Sequence, residues 1–129
     1  MQIKISKDIG ACFDELSILS VKWHKCQNNN ISYDINNLVQ LKEEIIEAIG
    51  IELFYKIMDS QEYDDLYNIN REIFELVDAL REITYQRPTN WKSLANYGIG
   101  IDLNNTKRYE AKKALQKKFF NTEVKEIKL

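Results

Sequence analysis

The feature that most constrains this chain is a run of apolar residues three and four apart, Leu66, Ile69, Ile73, Leu76, Leu80 and Ile83. Residues at that spacing lie along one stripe of an α-helix, so the run predicts a long amphipathic helix packing along a continuous seam. Ser60, followed by Glu62, Asp64 and Asp65, supplies an N-cap and favourable charge for its first turn. Pro88 biases Arg87 away from helical geometry, which sets the helix end near Ile83 or Thr84.

Other segments follow the same pattern. A first helix is predicted from about Asp8 to Cys26, with Ser6 or Asp8 as N-cap and a seam of Cys12, Leu16, Leu19, Trp23 and Cys26. The polar run from Gln27 to Asn30 breaks it. A second helix, from Ser32 or Asp34 to Ile49, should bury Ile35, Leu38, Val39, Ile45, Ile46 and Ile49, and Gly50 should stop it. A short helix is expected over 51–58. Thr89 is the expected cap of a brief helical turn through Trp91 and Leu94. Tyr97 to Asp102, carrying Gly98 and Gly100, reads as a loop, and a last helix should run from about Asn104 to Asn121. Ile3 and Ile5 at one end, with Ile127 and Leu129 at the other, suit two short strands pairing as a ribbon. The expectation is a mainly α, compact antiparallel bundle of about four principal helices, forming one domain over residues 1–129.

With 29% charged residues, a net charge of −2 and a pI near 5.5, the chain lacks the basic footprint of a nucleic-acid binder. The charge is nevertheless segregated. From Asp34 to Glu82 there are 4 basic and 13 acidic residues, whereas Lys107 to Lys118 holds 6 basic and 1 acidic, so the two segments should attract each other within the fold or between subunits. No signal segment or membrane-length apolar run is evident. Cys12 and Cys26, about 21 Å apart along one helix, cannot bridge. A reduced, soluble, cytoplasmic protein is the expectation.

Asp14, Ile18 and Val21 form a second row on the first helix, away from its main seam. A helix with two covered sides is central, so Asp14 should be buried and in need of a cationic or hydrogen-bonding partner. The stretch IGACFDELSILSVK, 9–22, resembles the opening motif of a family of small uncharacterised helical proteins of bacteria and phages, with an aspartate, an Ile-Leu pair and a lysine at the same offsets. LYNINREIFELVDALR, 66–81, is similar to that family's second motif through Asn70, Phe74, Asp78 and Arg81. Asn105, Arg108 and Lys112 resemble its third, and Glu123 to Lys125 resemble its end. The chain departs from the pattern at Thr106, where the family has aspartate, and at Phe74, where it has tryptophan. The resemblance implies a compact all-α protein, sometimes encoded near sugar transferases, with a recurrent polar set. In this chain the set is Asp14, Lys22, Asn70, Asp78, Arg81, Asn105, Arg108 and Lys112.

Two physical readings of that set stand open. In one, Arg81, Arg108, Lys112, Asn105 and Asn70 hold a small phosphorylated ligand, a nucleotide or sugar phosphate, near the start of the last helix and the glycine loop. In the other, Arg81 and Arg108 pair with Asp14 and Asp78, and with Lys22 they form internal ion pairs that set helix register. A third possibility uses Glu44, Glu47, Glu75 and Asp78 as Mg²⁺ ligands of a nucleotide pyrophosphohydrolase-like enzyme. At about 100° per residue all four project away from their helices' apolar seams. His24 is the only histidine, and it sits beside Trp23 at a boundary position. With no convincing catalytic set and strongly segregated charge, the leading expectation is a non-enzymatic accessory or protein-interaction module. It would require no cofactor and would engage a protein partner or a second copy of itself.

Overall fold

The computed structural model describes residues 8–86 and 88–120, and the backbone alone of 2–4 and 126–128. The protein is mainly α. Asp8 Oδ1 accepts the Ala11 N–H at 2.6 Å and starts α1 (Ile9–Asn28). α1 ends at Asn29, and Asn30 turns the chain at φ 56°. The second helix, α2 (Asn36–Ile49), begins two residues later than Asp34 and stops at Gly50. The φ of +90° at Gly50 is a conformation that a side chain would disfavour, and it lets α3 (Ile51–Met58) set off at once in a new direction. Ser60 Oγ then accepts the Tyr63 N–H at 3.1 Å to cap α4 (Gln61–Tyr85).

The clearest departure from expectation is α5 (Trp91–Phe120), a single 30-residue helix. The expected short turn, the Tyr97 to Asp102 loop and the last helix are one element. Asn90 caps it instead of Thr89, its Oδ1 accepting the Ser93 N–H at 3.1 Å. Gly98 and Gly100 are helical, although each glycine weakens a helix interior by about 1 kcal/mol relative to alanine. Packing along α4 overrides that local preference. α5 returns along α4, with Lys118 Nζ 2.9 Å from Glu62 at one end and Gly100 against Leu76 further along.

α1 lies against both helices, and the core gathers at that end of the molecule. Phe13, Leu16, Phe54, Ile57, Leu66 and Leu115 are at most 2% exposed. The Phe13 ring stands 5.7 Å from Phe54 and meets Tyr63 edge-on at 6.1 Å. Gly10 brings α1 close to α5, since a Cβ there would lie 2.6 Å from the Lys112 carbonyl oxygen. α2 contributes only Ile45 to the buried core, and Ile35 and Val39 remain 40% and 39% exposed. It packs mainly on α1 and α3, where Leu38, Leu41, Ile46 and Ile49 are partly buried against the core.

Ser6, Arg87 and the segment 121–125 lie outside the described residues, and so do the side chains of 2–4 and 126–128.

Candidate functional site

Spacing of four along α5 places Asn104, Arg108, Lys112 and Gln116 on one ridge. Asp14 Oδ2 brings that ridge to α1, while the Gly10 N–H donates to Gln116 Oε1. The contact is therefore polar where most helix pairs are apolar. Asp14 is 4% exposed. Arg108 Nε reaches both of its carboxylate oxygens at 3.0 Å, and Nη2 donates to Oδ2 at 2.6 Å. From α4, Asn70 Nδ2 donates to Asp14 Oδ1 at 2.8 Å and to Ser17 Oγ at 2.7 Å. Ser17 in turn donates to the Asp14 carbonyl at 2.7 Å. Lys112 Nζ stands 4.0 Å from Asp14 Oδ2. Three helices thus converge on one carboxylate, whose burial is offset by a forked guanidinium and an amide donor.

The structure brings Asp14, Asn70, Arg108 and Lys112 together and leaves the other members of the sequence-based set apart. Arg81 is exposed and makes no ion pair among the described residues. It shares a flank with Asn70 but lies eleven residues further along α4, about 16 Å at helical rise, too far to join the same cluster. Lys22 is exposed on α1, eight residues from Asp14, and is not a buried partner. Asn105 also faces solvent, while its neighbour Asn104 is buried and donates to the Gly100 carbonyl at 3.0 Å. Asp78 pairs with Lys25, an ion pair whose side chains are 39% and 38% exposed, so it is half-buried and does not meet Arg81. Lys25 also lies 4.6 Å from the Phe74 ring centroid.

The setting of Arg108 and Lys112 needs a second correction. Both lie within α5, well past its first turn, so no orphan N–H groups and no glycine loop stand beside them. Glu44, Glu47 and Glu75 are exposed, and no group of three or more His, Cys, Asp or Glu side chains converges for a metal among the described residues. Neither Cys12 nor Cys26 forms a disulfide. The opposed charges of the two segments meet directly at Glu62 and Lys118, whose hydrogen bond holds the Glu62 carboxyl below the usual range. Arg108 instead turns to Asp14, outside the acidic segment.

Sequence reasoning passed over several contacts. His24 Nδ1 and the Tyr67 hydroxyl share a 2.6 Å hydrogen bond, and burial raises the Tyr67 hydroxyl above its ordinary pKa. Gln116 Oε1 accepts the buried Gly10 N–H at 2.8 Å. A glycine in the first turn of a well-capped helix was the available signal for that close approach, and the four-residue spacing from Arg108 was the signal for Gln116. No protein-family model, no curated protein and no solved structure matches the chain.

Proposed function

We propose that this chain is a non-enzymatic, soluble cytoplasmic interaction protein that self-associates through the free end of the α4–α5 hairpin. One observation carries the reading. Among the described residues, nothing in α4 beyond Asn70 and nothing in α5 before Asn104 is fully buried, although both stretches are rich in apolar side chains. Ile73, Leu76, Leu80 and Ile83 are mostly but not fully buried, while Trp91, Ile99 and Leu103 are 71%, 59% and 60% exposed. The seam that defines α4 therefore finds a full core over its first part alone.

Surface area favours a second copy as the occupant. The chain exposes 8706 Å² at 15.3 kDa, whereas a compact monomer of that mass exposes about 7,100 Å². That total runs over the whole chain and lies roughly 1,600 Å² above the compact value, against the ~800 Å² that each partner contributes to a stable interface. Two identical hairpins placed face to face would bury like against like in a closed two-fold arrangement. A compact antiparallel bundle, with the chain termini joined as a ribbon, is part of the same proposal. So is the family resemblance, whose residues Asp14, Asn70, Arg108 and Lys112 serve in this reading as scaffold.

Light scattering coupled to size exclusion tests the reading. The expected mass is twice 15.3 kDa, falling to 15.3 kDa in an Ile99→Glu, Leu103→Glu variant with unchanged helical circular dichroism. A wild-type chain that is monomeric over a wide concentration range, or a variant that still dimerises, overturns it.

A further inference from the structure

Besides its core-facing side, α2 carries a second row that the core does not cover. Ile35, Val39 and Lys42 fall four and three residues apart and share one line on the helix, about 90° round from the core-facing Leu38, Leu41 and Ile45 at about 100° per residue. Lys42 reaches across to α3, where its Nζ stands 5.6 Å from the centre of the Tyr55 ring. Ile51 lies one turn before Tyr55 on α3, and the two are 56% and 46% exposed. The exposed apolar residues of the two helices therefore form one patch, with Lys42 as its bridge. Apolar side chains scattered singly are ordinary on a protein surface, whereas a joined patch with a polar rim marks a place of contact.

The charges at that rim define what can cover it. Glu43 and Glu47 lie about 90° further round α2, and Glu52 adjoins Ile51. All three are exposed and make no ion pair among the described residues. Residues 31–59 hold 6 acidic and 2 basic side chains, a net charge of −4. Two such faces repel each other, which disfavours a second copy laid face to face, and anionic lipid headgroups are repelled in the same way. The chain's own basic stretch, Lys107 to Lys118, does not suit the role in another copy, because its Ala111 and Leu115 are already packed in the core.

We infer that the α2–α3 face docks a basic amphipathic helix of a partner protein. The apolar side of that helix covers Ile35, Val39, Ile51 and Tyr55, and its lysines or arginines meet Glu43, Glu47 and Glu52. The face shares no side chain with the α4–α5 arm, so the chain can self-associate through one surface and hold a partner on the other.

The test is a titration of the full chain with a peptide of about four helical turns, leucine along one side and lysine along the other, read by calorimetry and by proton–nitrogen NMR. The expected result is saturable one-to-one binding with backbone amide shifts centred on residues 35–55. The same residues scrambled to remove the stripe, and a peptide with glutamate in place of lysine, should each bind at least about tenfold more weakly. Val39→Ser, Tyr55→Ser alters two exposed side chains, should fold normally, and should weaken binding by at least about tenfold. Glu43→Lys, Glu47→Lys should do the same, whereas Leu103→Glu on the α4–α5 arm should bind as wild type. Absence of saturation, shifts centred elsewhere, equal binding of the scrambled peptide, or undiminished binding by either double variant overturns the inference. Shifts of the same amides on concentrating the chain alone assign the face to a second copy, which also overturns it. Oligomeric state is read separately, so failure of this surface and failure of the self-association proposal are distinguishable.

Discussion

Replacing Arg108 by methionine should strip Asp14 of its forked partner while keeping most of the side chain's volume. Breaking a buried ion pair from one side destabilises a protein by about 3–5 kcal/mol, because the remaining charge stays buried. Asp14 is 4% exposed, but the Arg108 side chain is 31% exposed, and Asn70 and Lys112 remain within reach. Those features reduce the expected loss to about 2–3 kcal/mol. For 129 residues the unfolding entropy is roughly 0.27 kcal/mol per kelvin, so Tm should fall by about 7–11 °C. Thermal unfolding followed by circular dichroism reads this directly. An Asp14→Leu, Arg108→Met double variant removes both charges, leaves Asn70 its bond to Ser17, and should return to within about 1 kcal/mol of wild type. A drop below about 2 °C in the single variant, or a double variant as unstable as the sum of the singles, refutes the view that this cluster is held by a mutually dependent pair.

Two further outcomes follow from the same geometry. Gly98 is helical with open space where a Cβ would stand, so Gly98→Ala should raise stability by about 0.8–1 kcal/mol in denaturant unfolding. Burial pushes the Tyr63 hydroxyl up to about 12, with Ser20 opposing the shift, so the folded state favours the protonated phenol. Its contribution is complete below pH ~10, where an unfolded tyrosine is still protonated, and is lost progressively as pH rises from there through the folded value. The loss should reach about 2–3 kcal/mol by pH ~12. Tyr63→Phe should flatten that alkaline slope in denaturant unfolding, and an unchanged slope would assign it to other groups.

Local chemistry was enough for several features of this protein. Ser60 and Asp8 cap helices because a short oxygen-bearing side chain reaches an unpaired N–H of the first turn, and Gly50 turns the chain because a positive φ suits glycine. The α4 end at Tyr85 falls within two residues of the limit read from Pro88. Each depends on neighbours a few residues away, and so does the mainly α class, set by the apolar period. Asp14 could be read as a carboxylate in need of a partner, since its row on α1 shares a side with Ile18 and Val21.

Tertiary structure decided the rest. That partner is Arg108, ninety-four residues away, whereas Asp78 meets Lys25 because positions on a shared flank can still stand several turns apart in height. α5 continues through two glycines because packing along α4 outweighs a local penalty of about 1 kcal/mol each. Its polar ridge of Asn104, Arg108, Lys112 and Gln116 disguised a buried face as a solvated one. The apolar seam of α4 was legible as a pattern, but how much of it would be covered depended on where α1 ends. No local sequence signal carries that information, because burial is set by the position of a neighbouring layer and periodicity shows only which side such a layer should cover.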